Sequence, residues 1–423
     1  MKNSGVEWIG EIPEDWEVTP LKKLFSFGKG LPITKENLVE KGLPVISYGQ
    51  IHSKSNTGTK LQSELLRYVS NSYLDSNPNS LVHSGDFIFA DTSEDLEGCG
   101  NCCYIDKEIK LFAGYHTVIL QSKISKDNKY LAYLFKTDEW RKQLREKLVE
   151  VKLYSITQKA LKSTSVILPP KPTQQRIASY LDKKCSKIEE TIQNQQQVIE
   201  KLKAYKQSLI TEAVTGKVKI VNGKVCGEYE SYKKSGIDWI ETIPDTWCVC
   251  KIKYICTMQA GKTLSSEMIS EKGLYPVYGG NGKRGFYTEY NTEGKYILIG
   301  RQGALCGNVH LVNGKFWATE HAVVTTPNRD VGINYLFYLL SSMNLNQYVS
   351  STAAQPGLSV STIINLKTII IKSIDDQKSI IEYLDKKCTA IDSAIEQKQE
   401  LIVKLTEYKK SLIYECVTGK KEI

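Results

Sequence analysis

The chain has 423 residues, 41% hydrophobic and 24% charged, which is ordinary for a soluble globular protein and long enough for two to three domains. No apolar run reaches the length of a membrane span and the N-terminus does not resemble a signal peptide, so a cytoplasmic protein is expected, neither membrane-bound nor secreted. The formal charge of +9 and a pI near 8.8 point to a polyanionic partner, and the 11 scattered cysteines read as reduced thiols.

The chain opens with SGVEWIGEIPEDWEVTPLKKL, Ser4 to Leu24, and the pattern returns 231 residues later as SGIDWIETIPDTWCVCKIKYI, Ser235 to Ile255. Both copies hold two tryptophans around an Ile-Pro bend, Trp8 and Trp16 in the first. Large aromatics more often fill a core than offer a stacking platform, so a buried lead-in to a first strand is expected.

Two non-identical middles follow, about 25–168 and 256–371, the first about 28 residues longer. They share a skeleton. KGLPVISYG (Lys41 to Gly49) answers KGLYPVYGG (Lys272 to Gly280), and GDFIFA (Gly85 to Ala90) answers GKYILI (Gly294 to Ile299), each an apolar run of strand length. CGN occurs at Cys99 to Asn101 and again at Cys306 to Asn308. GYHTVIL aligns with TEHAVVT, placing His116 against His321, and YLAYLF with YLFYLL, a short apolar helix. Each middle is therefore expected to be an α+β unit of short strands with Gly, Asn and Ser loops.

A kept frame with divergent loops suits two recognition modules with different targets. The loop chemistry suits DNA, where Lys and Arg meet phosphates and Arg, Gln and Asn read base edges. In the first module the candidates are Tyr48, Gln50, Lys54, Asn56 and Lys60 in the segment Ser47 to Lys60, then Thr92 and Ser93. In the second they are Tyr278, Asn281, Lys283 and Arg284, then Arg301 and Gln302, then Gln355. Arg284 and Arg301 suit guanine; Gln50, Gln302 and Gln355 suit adenine. The aligned His116 and His321 complete the set; a shared polar contact or a shared structural hydrogen bond fits them, and the absence of a nearby acid–base partner or metal cluster favours the structural role.

Catalytic signals are scarce. GKT at Gly261 to Thr263 lacks the first glycine of a phosphate-binding loop, since Cys256 stands there, and no strand-coupled GxGxxG occurs. Cys99 and Cys102 form one CxxC beside Cys103 with no second pair at a helpful spacing, so no metal is expected. The protein reads as a binder, without catalytic residues or cofactor.

The last repeat is the longest. Gln174 to Ile220 returns without a gap as Gln377 to Ile423, shifted by 203. Within the first copy Leu181, Cys185, Ile188, Ile192, Gln195, Ile199, Leu202, Lys206, Leu209 and Ala213 alternate at spacings of four and three. The second carries the same stripe from Leu384 to Cys416, with Lys398 at the position of Gln195. This is a heptad seam, and two matching helices of roughly 40 residues, about 60 Å each, can pack on each other. Gly216 and Gly419, in the shared VTGK, are the expected helix stops.

Together the lead-in SGVEWIGEIPEDWEV and the helix closing in LITEAVTGK, each present twice, resemble the DNA specificity subunit of type I restriction–modification systems. PPKPTQQ, Pro169 to Gln175, resembles that family's strand-to-helix junction, whereas the second junction, KSIDDQK, lacks the prolines. The resemblance spans the chain and implies two tandem α/β target recognition domains separated by two long helices packed as an antiparallel coiled coil. The implied layout is 1–168 recognition domain, 169–220 first spacer helix, 221–371 linker and second recognition domain, and 372–423 second spacer helix. It further implies that one half of a split site in double-stranded DNA is read per domain, the helix length setting the unread gap. The implied partners are two adenine-N6 methyltransferase subunits and the motor–nuclease restriction subunits. Those partners would bring S-adenosylmethionine, ATP and magnesium. A stand-alone tandem DNA-binding regulator and a protein-interaction scaffold are the alternatives.

Overall fold

A computed structural model of the chain describes residues 1–6, 8–123, 127–150, 153–303, 305–328, 330–349 and 357–423. The chain divides into two compact units: Met1–Asn194 with Leu401–Ile423, and Gln195–Glu400. Both divisions fall inside the long helices, Lys171–Thr215 and Ile374–Val417. Each unit therefore holds one α+β domain, the start of the helix that follows it and the end of the other helix.

The two helices begin at equivalent positions, 203 residues apart, although only the first junction carries prolines. A glutamine does the shared work. Gln174 Nε2 donates to Pro169 O and Gln377 Nε2 to Ile371 O, both at 2.8 Å, tying the end of the preceding strand to the first helical turn. Every position of the heptad stripe is buried or half-buried, from Leu181 and Leu384 at the start to Ala213 and Cys416 at the end.

Within the second unit, Lys398 Nζ donates to Gln195 Oε1 at 3.2 Å and Lys206 Nζ to Asp392 Oδ2 at 2.6 Å. The numbering rises on one helix as it falls on the other, so the pair is antiparallel. The first unit holds the counterpart of the second contact, Lys409 Nζ to Glu189 Oε1 at 2.9 Å. Such exposed ion pairs contribute roughly 0.2–1 kcal/mol each, against about 1.5–3 kcal/mol for each fully buried Leu or Ile, so the apolar stripe dominates. Gln195 and Lys398 are therefore expected to act on register rather than on stability. Replacing both with leucine is expected to raise stability by about 1–2 kcal/mol. The thermal midpoint of the circular dichroism signal at 222 nm measures this, and a fall would show that the polar pair is a net stabiliser.

The two repeated motifs at opposite ends of the copies turn out to be halves of one joint. Gly419 (φ +73°) ends its helix so close to the lead-in that a Cβ there would stand 2.6 Å from Pro13 Cδ and 3.3 Å from the Trp16 ring. In the second unit Gly216 (φ +75°) meets Pro244 and Trp247 in the same way. Trp16 and Trp247 are buried accordingly, while Trp8 is half-buried. The short apolar helices lock the other side. Tyr133 Oη donates to Asp182 Oδ1, and Tyr338 Oη to Asp385 Oδ1, each at 2.7 Å.

The frames match, but the second is more continuous. One sheet of six strands in the second unit runs in the order Cys256–Ala260, Ala322–Pro327, Thr292–Gly300, Val309–Ala318, Tyr275–Gly279, Gly282–Tyr287. Its strands of nine and ten residues are longer than the short strands expected. In the first unit the counterpart of Val309–Ala318 is broken into Cys102–Tyr104 and Leu111–Ala113, which belong to two separate four-stranded sheets.

Strand register also corrects one alignment. Ala90 lies opposite Thr117 and Gly300 opposite Ala322, each partner directly following an aligned histidine. Ala90 is thus equivalent to Gly300, one residue away from the match made on the glycines that precede the apolar runs. The glycine of GDFIFA lies outside its strand whereas that of GKYILI lies within it, so pairing rather than the glycine sets the register. Asp91 consequently corresponds to Arg301, and Thr92 to Gln302.

Candidate nucleic-acid interface

The corrected register places the candidate residues on a shared backbone frame. In the first unit Asp91 N–H donates to His116 O at 3.1 Å, and Ile156 N–H donates to Asp91 O at 2.7 Å. In the second, Arg301 N–H donates to His321 O at 3.0 Å, and Leu358 N–H donates to Arg301 O at 2.8 Å. The aligned histidines therefore share a backbone role just before a strand. Each fixes the residue that leaves the central strand, and there the two units differ by a carboxylate against a guanidinium.

Beside Asp91, the first unit forms a cleft of about 700 Å³ whose lining includes Tyr48, Thr92 and His116. Ser47 begins a helical turn, Tyr48–Ile51, and Gln50 Oε1 folds back to accept the Ser47 N–H at 3.1 Å. That turn presents the Tyr48 ring edge-on to His116 (5.4 Å between centroids) and Tyr115 (5.6 Å). His116 adopts a left-handed conformation (φ +53°) and its side chain is 59% exposed, so its ring stays open to a ligand. Its Nδ1 lies 3.4 Å from both Asp91 Oδ1 and Thr92 Oγ1, and Thr92 Oγ1 donates to Asp91 Oδ1 at 2.6 Å. Tyr48, Thr92 and His116 are thus brought together.

Other candidates are engaged by their own loops. Asn56 Nδ2 donates to Ile51 O (2.8 Å) and Cys102 O (3.0 Å), and its Oδ1 accepts from Gly58 N. Ser93 is buried with Oγ donating to Asp95 O at 2.7 Å, although it lines the cleft. Lys54 and Lys60 are exposed and lie outside it. His52 was not singled out from the sequence. Its Nε2 stands 2.8 Å from Thr92 O and its Nδ1 3.1 Å from Asn101 Nδ2. A carbonyl on one side and an amide on the other select the Nε2–H tautomer and brace the cleft floor. Its place within the Ser47 to Lys60 loop was the available signal.

In the second unit Arg301 is half-buried, with a buried Nε that has no hydrogen-bond partner among the described residues. Glu320 Oε2 and His310 Nε2 share that condition, and burial pushes the His310 imidazole below its usual pKa. His321 Nε2 stands 3.4 Å from Glu320 Oε1. Gln302 follows Arg301 and is exposed, its backbone bridged to Gly357. The strand Gly282–Tyr287 carries Lys283 and Arg284, both exposed; Lys283 Nζ sits 3.9 Å from the centre of the Phe286 ring. Asn281 Oδ1 accepts from Asn308 Nδ2 at 3.4 Å, and Tyr278 packs edge-on against Phe316. Gln355 lies outside the described residues.

Among the described residues no group of three His, Cys, Asp or Glu side chains is placed to hold a metal. Cys99, Cys102 and Cys103 are buried, and burial raises all three thiols, Cys102 to about 12. No helix among the described residues is long and apolar enough to cross a membrane.

Two recognition-type domains, each clamped between the ends of an antiparallel helix pair, define the class of protein, and comparison with known proteins agrees. The family model for the type I restriction modification DNA specificity domain matches twice, over residues 13–204 and 244–404, so the chain belongs to that family. It is 45% identical to the specificity subunit of the type I restriction enzyme EcoprrI of Escherichia coli over 146 residues, 34% of this chain and 36% of that one. Against a putative MjaX specificity subunit of Methanocaldococcus jannaschii it is 26% identical over 97% of this chain and 95% of the other. The fold is similar to that of a chain in a solved structure concerned with complex assembly and conformational transition of a type I restriction–modification system. The TM-score is 0.69 at 15% identity, covering 97% of this chain and 100% of that one.

Proposed function

We propose that this chain is the non-catalytic DNA sequence-specificity subunit of a type I restriction–modification complex, in which each unit reads one half of a bipartite site in double-stranded DNA. The observation that carries this reading is the equivalence of Asp91 and Arg301: one backbone position, held by the same pair of hydrogen bonds, with opposite charge. An equivalent backbone anchor with different chemistry at the contact point suits two half-sites of different sequence. The recognition domains correspond to 1–168 and 221–371, joined by spacer helices 169–220 and 372–423. Tyr48, Thr92 and His116 in the first, and Arg284, Arg301, Gln302 and His321 in the second, are the side chains best placed for bases. Lys54, Lys60 and Lys283 fit phosphate contacts, which position without selecting. Two adenine methyltransferase subunits and the restriction subunits would dock on this chain, supplying the S-adenosylmethionine, ATP and magnesium chemistry.

Single-molecule sequencing of adenine methylation in cells with and without the gene tests the reading. Loss of one bipartite methylated motif on deletion is the expected result. An unchanged methylome, with the partner methyltransferase active, would leave a stand-alone regulator or a scaffold.

A further inference from the structure

The two units differ in charge where equivalent residues face the end of a spacer helix. In the first unit a cleft of about 690 Å³ opens between the helix Asp138–Arg145, the loop at Thr57 and the last turns of the second spacer helix. Its lining includes five cations: Lys136, Arg141, Arg145, Lys409 and Lys410. In the second unit, the positions of Lys136, Arg141 and Lys410 are held by Ser341, Asn346 and Gln207, and Gln207 Nε2 donates to Ser341 O at 3.2 Å. The shared frame thus carries neutral side chains in one unit and convergent positive charge in the other.

Two of the five cations are neutralised, Arg145 by Asp138 (3.1 Å) and Lys409 by Glu189 (2.9 Å). The other three form no ion pair among the described residues. Lys136 Nζ donates to Thr57 O at 2.7 Å, and Arg141 Nε to Phe135 O at 2.9 Å with a longer bond to Glu97 O. Carbonyl oxygens orient these groups but leave their charge intact. Glu97 and Glu139 also line the cleft without pairing with them. Lys136 and Arg141 are half-buried, so their charge is held where solvent screens it poorly.

We propose that Lys136, Arg141 and Lys410 form an oxyanion site for a phosphate group, taken either from the DNA backbone or as free phosphate. Burial, the charge of Lys409 and that of Arg141 push the Lys136 ammonium down to about 8, against the opposing effect of Glu189 and Cys185. A bound oxyanion would add counter-charge to a lining that sets five cations against Glu97, Asp138 and Glu139. Protonated Lys136 is then the binding form, so phosphate affinity falls as the pH rises through about 8. The cleft shares Glu97 and Asn101 with the cleft lined by Tyr48, Thr92 and His116, so a backbone phosphate held here would lie beside the bases read there. The DNA source rests on the function proposed above; the phosphate chemistry does not.

The test has two arms. In the first, the thermal midpoint of the full chain is followed in inorganic phosphate and in chloride at matched ionic strength. A phosphate-specific rise is expected for the native chain, lost in Lys136→Gln and Arg141→Gln and reduced in the exposed variant Lys410→Gln, which removes no packing. In the second, the assembled methyltransferase complex is titrated with duplex DNA across salt concentrations. Each variant is expected to lower the slope of log K against log salt by about 1, equally for cognate and unrelated duplexes. A phosphate effect with unchanged salt slopes identifies free phosphate as the source. Phosphate stabilisation that persists in all three variants, or is absent from the native chain with unchanged slopes, overturns the site. So does a Lys410→Gln variant that only loses partner subunits on purification, which would mark the cleft as a protein contact. Failure of the complex to bind any DNA would sink the function proposed above while the first arm still decides the site.

Discussion

Trp16→Ala is expected to destabilise the first unit by about 3–5 kcal/mol and Trp247→Ala the second by a similar amount, each with little effect on the other unit. Both indoles are nearly fully buried, at 4% and 2% exposure, so truncation removes a large apolar area and opens a cavity. The loss is focused on one joint, because each ring lies against the glycine that ends the returning helix. Hydrogen exchange of the full chain reads this directly. In Trp16→Ala, faster exchange is expected in residues 8–20 and in the last turns of the helix Ile374–Val417. In Trp247→Ala it should instead appear in residues 240–255 and the last turns of Lys171–Thr215. Faster exchange spread evenly through both units in either variant would defeat the assignment of two separately clamped units.

Arg301→Ala is expected to relax recognition at one base pair of one half-site, costing about 1–3 kcal/mol of discrimination and leaving the other half-site unchanged. The backbone at Arg301 is held from both sides, by His321 O and Leu358 N, so the side chain leaves a fixed point with its Nε unpartnered. A guanidinium so anchored loses little freedom on pairing with two acceptors. Lys283→Ala, by contrast, should weaken binding to all sequences alike, because a point charge on an exposed strand selects no base. The methylated motif in cells carrying each variant measures the difference. An unchanged motif in both Arg301→Ala and Arg284→Ala would remove these arginines as readers.

The candidate interface was legible in part. Its candidate loops were proposed from residue type and from the contrast between a repeated frame and divergent segments. Within them, sequence did not separate Tyr48 and His116, whose rings meet at the cleft, from Asn56, whose amide is taken up by Ile51, Cys102 and Gly58. A side chain's free hydrogen-bonding capacity depends on neighbours distant in the chain, and residue type carries no record of them. The same reason hid His52, whose partners are Thr92 and Asn101, and the basic cleft, whose cations come from segments near 136–145 and near 409–410.

The long helices were legible because a four-three spacing of apolar residues follows from the pitch of an α-helix alone, and a gap-free repeat doubles the signal. The two copies of the lead-in and of the closing VTGK were equally plain as repeats. That Pro13 and Trp16 receive Gly419, and Pro244 and Trp247 receive Gly216, needed the folded chain, because each contact joins the start of one copy to the end of the other. Register behaved likewise. Apolar runs of strand length identified the strands around Phe89 and Ile299, but only their ladders with Val118 and Val323 showed which residue leaves the sheet as Asp91 and which as Arg301. Periodicity belongs to a single segment; pairing belongs to two, and the free energy that selects a register is gained only when both are in place.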